Sequence, residues 1–164
     1  MVDINRGRRS IILCVNDIQL HLDNLREDIQ IDFISIATTR TAFEQVRNIQ
    51  WYFVSGNTNN LYKNIRLQIG RGLGGIVWRT GRTHEENDIQ AKKAKLLTYP
   101  IARSEKLTYV YGIPLQKEDQ VIGVLLAGNR TNRTLSIEEK QRIDNYVNQL
   151  EQLIEVWIKH ASDE

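Results

Sequence analysis

The sequence predicts an α+β fold with a largely antiparallel sheet. The order of predicted elements is a helix, two strands, a short helix, further strands and a long final helix. Helices and strands do not alternate regularly and no internal repeat is present, which disfavours a doubly wound parallel sheet. The length of 164 residues suits one domain. We therefore expect a single domain over residues 1–164.

The first half of the chain contains one predicted helix and two predicted strands. Residues 10–27 carry apolar side chains at steps of three and four, which indicates one buried stripe on a helix. Residues 31–38 and 49–57 are rich in β-branched and aromatic side chains, and the second stretch ends in a Ser-Gly-Asn turn. A loop or short helix at 58–66 leads into a glycine-rich segment.

The second half is expected to supply the remaining strands. Residues 89–105 are polar and predicted to be irregular, and Pro100 biases Tyr99 toward an extended backbone. Two further strands are expected at 107–115 and 120–130, joined by a hairpin turn at Lys117–Asp119.

The last helix is predicted to begin at Ser136, which has capping-box spacing to Glu139. Its apolar stripe, like that of the first helix, is longer than one sheet face needs. We expect the two terminal helices to pack together and leave an apolar edge for a second copy or a partner, with core burial as the alternative. The residues expected at that edge are Ile18, Leu22, Leu150 and Trp157.

Composition excludes several function classes. The chain has 22 basic and 20 acidic residues, too little net charge to favour nucleic acid. No apolar run approaches the ~20 residues of a membrane span and no signal peptide is evident, so a cytoplasmic location is expected.

Cys14 is the only cysteine, so a thiolate metal cage and an internal redox pair are excluded, and core packing is its expected role. His21, His84 and His160 are expected on the surface. We predict no cofactor, no metal site and no enzymatic activity.

The segment IGRGLGGIVWRTG at residues 69–81 contains G-x-G-x-x-G, the spacing of a dinucleotide-binding turn. That function needs a βαβ unit and an acidic residue that ends a second strand about 20 residues on. Asp88 is near that distance, but its surroundings, EENDIQ, are not strand-like. No Gly-Lys-Ser/Thr follows either, so nucleotide binding is disfavoured.

The same segment predicts a helix of about two turns that begins near Gly72 and stops at Gly81. The first N–H groups of a helix have no partner within it, and the helix dipole adds about half a positive charge there. Gly74 and Gly75 carry no side chain that would block this end, so a small anion could sit on the backbone. The alternative is that these glycines serve only a tight turn or close packing.

Residues 51–82, together with YPI at 99–101 and the segments YGIPL and VIGVLLAGNR, resemble a GAF domain over residues 30–130. The resemblance is strongest to the stand-alone GAF nitrate receptors of staphylococci and related Firmicutes. It implies a central antiparallel sheet of five to six strands, with terminal helices (1–29 and 136–160) on one face and a ligand pocket on the other. It also implies that nitrate is the ligand and that the partner is a sensor histidine kinase of a two-component system.

The resemblance assigns the nitrate site residue by residue. The residues implied are Trp51, Leu73, Gly74, Gly75, Tyr99, Pro100 and Ile101. Gly74 is a departure, because alanine is expected there in the relatives. Taken without the resemblance, Trp51 suits ordinary sheet packing and a pocket role equally, and Tyr99 suits an exposed loop.

Three other functions compete with nitrate sensing, and the first of them, an enzyme, is disfavoured. GAF proteins that reduce free methionine sulfoxide use several cysteines, which this chain lacks. A GAF sensor of another small molecule, such as a cyclic nucleotide or haem, is the second alternative. A ligand-free module for dimerisation or interaction is the third.

Overall fold

The computed structural model describes residues 4–40 and 48–162, which form one antiparallel sheet with helices on both faces. The strands are β1 (Phe33–Thr38), β2 (Ile49–Ser55), β3 (Arg66–Leu67), β4 (His84–Glu86), β5 (Tyr109–Lys117) and β6 (Gln120–Asn129). The helices are α1 (Ile4–Asp28), α2 (Gly72–Thr80), α3 (Lys93–Thr98), α4 (Pro100–Glu105) and α5 (Ile137–Ser162). The strand order is β3-β2-β1-β6-β5-β4, and every pairing is antiparallel. The predicted α+β class and its antiparallel sheet are confirmed.

Each face of the sheet has its own apolar core. Helices α1 and α5 pack on each other and cover one face. Helix α2 packs on β5 and β6 on the opposite face, where α4 and the segment before it complete a second core. The long helices and the glycine-rich helix therefore lie on opposite sides of the sheet. Residues 1–3 of the predicted first helix lie outside the described residues.

The prediction of an apolar edge on the terminal helices is wrong for the four residues named. Ile18, Leu22 and Leu150 are fully buried and Trp157 is 4% exposed. Trp157 packs against the rings of Tyr52 and Phe53, with centroid distances of 4.9 Å and 5.4 Å. The apolar stripes are used within one chain because each helix contacts both the sheet and the other helix. The large apolar residues exposed on these helices are Ile12, Leu13, Leu20, Ile137 and Val156.

The predicted start of α5 is confirmed in detail. The Glu139 N–H donates to Ser136 Oγ at 3.1 Å, and the Ser136 N–H donates to Glu139 Oε1 at 3.0 Å. These reciprocal bonds satisfy two donors that the helix leaves without a partner.

The expectation that residues 89–105 are irregular is wrong. The stretch contains a 3₁₀ turn at Ile89–Ala91 and the helices α3 and α4, and β4 precedes it. Tertiary contacts stabilise these short elements: Ile89 is fully buried, and Gln90 Nε2 donates to the carbonyls of Ala102 and Leu107. His84, expected on the surface, lies in β4 and pairs with Gly112.

Candidate functional site: a cavity at the start of helix α2

A cavity of about 240 Å³ lies between the start of α2, the segment 97–102 and the sheet. All seven residues predicted for the site line it: Trp51, Leu73, Gly74, Gly75, Tyr99, Pro100 and Ile101. The other lining residues are Ile65, Arg66, Leu67, Gln68, Arg71, Gly72, Leu97, Thr98, Ala102, Val110 and Leu126. Residues from five separate parts of the chain thus meet around one cavity.

Helix α2 begins and ends where its glycines predict. Arg71 precedes the helix with an extended backbone and makes no side-chain cap, so its side chain does not compete with an external acceptor for the first N–H groups. Gly81 ends the helix in the left-handed conformation, and its N–H donates to the Val77 carbonyl at 2.9 Å. Gly72 has a φ of +68°, a conformation that glycine adopts without strain.

Gly75 and Gly74 have different roles at this helix start. A Cβ on Gly75 would lie 2.0 Å from the Gln68 carbonyl oxygen, so the close backbone contact there requires glycine. The need for glycine at Gly75 is therefore consistent with the alternative that the glycines serve close packing, and also with an anion site. A Cβ on Gly74 would meet the flexible end of Leu67 at 2.6 Å and the Trp51 ring at 3.5 Å. Gly74 is therefore in direct contact with the cavity wall.

Trp51 faces the cavity because of a β-bulge. Strict alternation along β2 would place Trp51 and Phe53 on the same face of the sheet. In the ladder with β1, Phe53 pairs with Ile36 and Trp51 pairs with Ala37, so Tyr52 is the extra residue. Trp51 consequently joins the core under α2, whereas Phe53 joins the core under α1 and α5.

The segment Tyr99–Ile101 forms the roof of the cavity, opposite the sheet. Pro100 occupies the first turn of α4, where its missing N–H costs no helical hydrogen bond. Tyr99 and Ile101 are each 6% exposed, so the alternative of an exposed loop at Tyr99 is wrong. Burial, followed by the nearby Glu86 carboxylate, raises the pKa of the Tyr99 hydroxyl, which therefore stays protonated at neutral pH.

The charged lining of the cavity is entirely basic. Arg66 and Arg71 are exposed at the cavity rim, and Arg71 Nη1 donates to Gln68 Oε1 at 3.2 Å. No Asp or Glu belongs to the lining within the described residues. The two arginines and the helix dipole therefore both favour an anion. Sequence reasoning missed Arg66 and Arg71, although Arg71 stands inside the G-x-G motif.

A dinucleotide turn is excluded by the strand directions. The strand after α2, β4, pairs antiparallel with β5, so no parallel βαβ unit surrounds the glycines. Asp88 follows β4 in a left-handed turn rather than ending a parallel strand. In the described segments 4–40 and 48–162, no group of three or more His, Cys, Asp or Glu residues could hold a metal ion. The same segments contain no helix with the length and apolarity that crossing a membrane requires.

Comparison with solved structures connects this fold and site to known proteins. The GAF domain of a phosphoenolpyruvate-protein phosphotransferase from Acinetobacter matches with a TM-score of 0.64 at 17% identity, covering 94% of each chain. A type II free methionine-R-sulfoxide reductase from Thermoplasma acidophilum matches with a TM-score of 0.70 at 12% identity, covering 89% of this chain and 94% of the other. Both similarities concern the fold alone. No protein-family model matches the sequence, and no curated protein does.

A third structure is similar in sequence as well as in fold. It is a NreA protein from Staphylococcus aureus, mutated in its nitrate binding site. The identity is 38%, the TM-score is 0.70, and the match covers 76% of this chain and 91% of that chain. This chain belongs to the GAF domain family. Within that family it is similar to the staphylococcal NreA protein.

Proposed function

We propose that this protein is a nitrate sensor that binds nitrate in the cavity at the start of α2. The observation that carries the proposal is the start of α2, where Leu73 and Gly74 line a cavity whose lining, among the described residues, includes no Asp or Glu. The similarity to a NreA protein, which has a nitrate binding site, supports the same ligand.

The cavity chemistry suits a planar anion with delocalised charge. Backbone N–H groups of Leu73 and Gly74 would donate to the nitrate oxygens, while Gly75 keeps the helix start close to the preceding loop. The rings of Trp51 and Tyr99 would exclude water from the anion, and hydrogen bonds are stronger where water is excluded. Pro100 and Ile101 complete the wall. In this proposal Arg66 and Arg71 attract the anion without being its main ligands.

Calorimetric titration with nitrate, nitrite, chloride and sulfate tests the ligand. The decisive variant is Gly74→Asp, which should abolish nitrate binding because it places a carboxylate where the anion would sit. Gly7→Asp is the charge-matched control, since a Cβ at Gly7 has no neighbour within 4 Å and the residue lies on α1, across the sheet. If the folded Gly74→Asp variant binds nitrate as tightly as the Gly7→Asp variant, the anion site lies elsewhere.

We further propose that nitrate changes how a sensor histidine kinase interacts with the terminal helices, in a cytoplasmic protein whose residues 1–164 act as one domain. The end of β2 is joined directly to α1: Ser55 Oγ donates to Asp23 Oδ1 at 2.6 Å and accepts from Arg26 Nε at 2.8 Å. Trp51 of β2 lines the cavity. A displacement of β2 would therefore also move α1 through these hydrogen bonds. A homodimer through the same helices is part of the proposal, with Ile12, Leu13 and other exposed apolar residues now the candidates for its contact surface.

Thermodynamic linkage provides the test of whether nitrate controls the interaction with the kinase. A ligand shifts a partner's binding only through unequal affinity for two states, and the partner must then change the ligand's affinity by the same factor. Nitrate titrations should therefore be run with and without the sensor region of the kinase, and sedimentation should be measured in both series. A partner that binds while nitrate affinity stays constant would show that nitrate does not control this interaction.

We propose no enzymatic activity. Cys14 is buried in the core between α1 and α5, and its Sγ donates to the Leu153 carbonyl at 3.2 Å. It has no second cysteine in the chain with which to form a disulfide, and it lies on the face of the sheet opposite the cavity.

A further inference from the structure

The last residue of α4, Glu105, is held by a set of contacts that we call the roof clamp: Glu105, Thr58, Arg130 and the Gly56 carbonyl. Arg130 Nη2 donates to Glu105 Oε2 at 2.7 Å and to the Gly56 carbonyl at 3.1 Å. Thr58 donates to Glu105 Oε2 twice, from its N–H at 2.9 Å and from its Oγ1 at 2.8 Å. Arg130 Nε also donates to the Glu105 carbonyl at 2.9 Å. The clamp thus fixes both the side chain and the backbone of Glu105.

The Glu105 side chain is fully buried, whereas that of Arg130 is 27% exposed. A buried carboxylate is stable in the charged state only when it is paired and hydrogen-bonded. Any movement of α4 away from the end of β6 would separate these partners and leave a charge without compensation. The clamp therefore resists displacement of α4 more strongly than apolar packing alone would.

Helix α4 needs such a clamp because it has only six residues. A helix of this length has no stability of its own in water, so its position is set by what holds its ends. Its beginning is Tyr99–Ile101, the roof of the cavity, and its end is Glu105. A second contact supports the same end, since Asn59 Nδ2 donates to the Ser104 carbonyl at 2.8 Å.

We propose that Glu105 is a positioning residue of the anion site: through the roof clamp it holds Tyr99–Ile101 at the distance from α2 that a bound anion requires. This inference rests on the proposed nitrate site and concerns residues that do not line the cavity. It also gives a role to two segments of the sequence that the anion site itself does not use. The Ser-Gly-Asn-Thr turn supplies Gly56 and Thr58, and the Gly-Asn-Arg stretch supplies Arg130, directly after β6.

The Ser-Gly-Asn-Thr turn is itself built for this contact. Gly56 has a φ of +82°, and a Cβ there would lie 2.1 Å from the Asp32 carbonyl oxygen. Asp32 Oδ2 in turn accepts from the Arg130 N–H at 2.9 Å. The turn and the end of β6 are thus fixed to each other, and both are fixed to Glu105.

Two variants of different severity test the inference. Glu105→Gln removes the charge at nearly constant volume, and Thr58→Val removes one hydroxyl donor while keeping its N–H. Glu139→Gln is the matched control, because Glu139 also pairs with an arginine, Arg133, but it lies at the start of α5 outside the cavity lining. All four proteins should be titrated with nitrate at a temperature at which circular dichroism shows them folded.

The expected result is a graded loss of nitrate affinity. Glu105→Gln should raise the Kd about tenfold, by analogy with the lower end of the affinity loss that follows removal of the hydrogen-bond partners of metal ligands. Thr58→Val should raise it about fivefold, as for one lost hydrogen bond. Glu139→Gln should leave the Kd unchanged although it lowers stability. Wild-type affinity in both folded Glu105→Gln and folded Thr58→Val would overturn the inference.

Amide hydrogen exchange separates failure of this inference from failure of the nitrate proposal. The Arg103 N–H, which donates to the Tyr99 carbonyl at 3.1 Å, should exchange faster in Glu105→Gln than in Glu139→Gln. The Gly81 N–H at the end of α2 should exchange equally in both. If the wild type binds no nitrate, the proposed function fails, and this comparison still decides whether the clamp holds the roof. Equal Arg103 exchange in the two variants would overturn the clamp as well.

Discussion

Replacing Gly112 with alanine should push helix α2 away from the sheet. Gly112 lies in β5, beneath the helix, and a Cβ there would be 2.9 Å from Leu73 Cδ2 and 3.0 Å from Val77 Cγ2. Carbon atoms in contact normally sit ~3.5–4.0 Å apart, so both side chains must give way by roughly 0.5–1 Å. Leu73 and Val77 are one turn apart on α2 and are 3% and 0% exposed, so neither can simply rotate into solvent.

The free energy of unfolding should fall by about 1–3 kcal/mol, the usual cost of an extra methyl group in a well-packed core. For a chain of this size each kcal/mol lowers Tm by roughly 2–4 °C, so a decrease of about 2–12 °C is expected. The shift should also weaken nitrate binding, because the N–H of Leu73 belongs to the helix start that the methyl group displaces.

Urea denaturation and nitrate calorimetry on the same samples measure both effects. Gly7→Ala is the control, because a Cβ at Gly7 meets nothing within 4 Å. That variant should be more stable by about 1 kcal/mol, the difference in helix propensity, with nitrate affinity unchanged. If Gly112→Ala is as stable as wild type and binds nitrate equally, the contact between Gly112 and α2 does not position the site.

Three further predictions concern single residues. Nitrate should change tryptophan fluorescence in the wild type and not in Trp51→Phe; an identical response would remove Trp51 from the site. Burial, and then the Asp17 carboxylate, raise the pKa of the Cys14 thiol, so a thiol reagent at pH 8 should react with Cys14 only after denaturant is added, and rapid reaction of the native protein would contradict this. Burial raises the pKa of Glu139, yet hydrogen bonds from Ser136 and Arg133 outweigh it and hold that pKa below its ordinary value of 4.5. The stabilisation by Glu139 is therefore complete above pH 4.5 and disappears as the pH falls through the folded-state pKa. Glu139→Gln should be less stable than wild type by about 0.5–1 kcal/mol at pH 7, because it loses the ion pair and the charge at the helix start, and a stability difference that does not shrink by pH 3 would refute this account.

Local signals in the sequence predicted those elements whose ends are set by nearby residues. The capping box at Ser136 places the start of α5, and Gly81 places the end of α2. The hairpin expected at Lys117–Asp119 forms with positive φ angles at Glu118 and Asp119, which suits the tight turn between β5 and β6. Each of these features depends on a few consecutive residues, so tertiary context was not needed.

The errors concern features that arise only when distant segments meet. Residues 89–105 lack apolar periodicity, and their short helices are held by contacts beyond neighbouring residues. Gln90 bonds to the Ala102 and Leu107 carbonyls, and Glu105 bonds to Thr58 and Arg130. The bulge at Tyr52 leaves no mark in the apolar pattern of β2, although it decides which face Trp51 occupies. The resemblance to GAF nitrate receptors predicted that the seven proposed site residues surround one cavity. The sequence alone could not predict this, because no local rule connects Trp51 with Tyr99.

The two edge strands of the sheet, β3 and β4, restrict how this protein can associate with other chains. β3 has two residues and β4 has three. Four of these five residues have ionisable side chains: Arg66, His84, Glu85 and Glu86. The side chain of Glu86 also pairs with Lys92, which precedes α3, and with Lys95, which lies in α3. Short, charged edges oppose the addition of a strand from another chain. The folded protein should therefore resist edge-to-edge fibril growth even at high concentration, and any specific association should occur through helices.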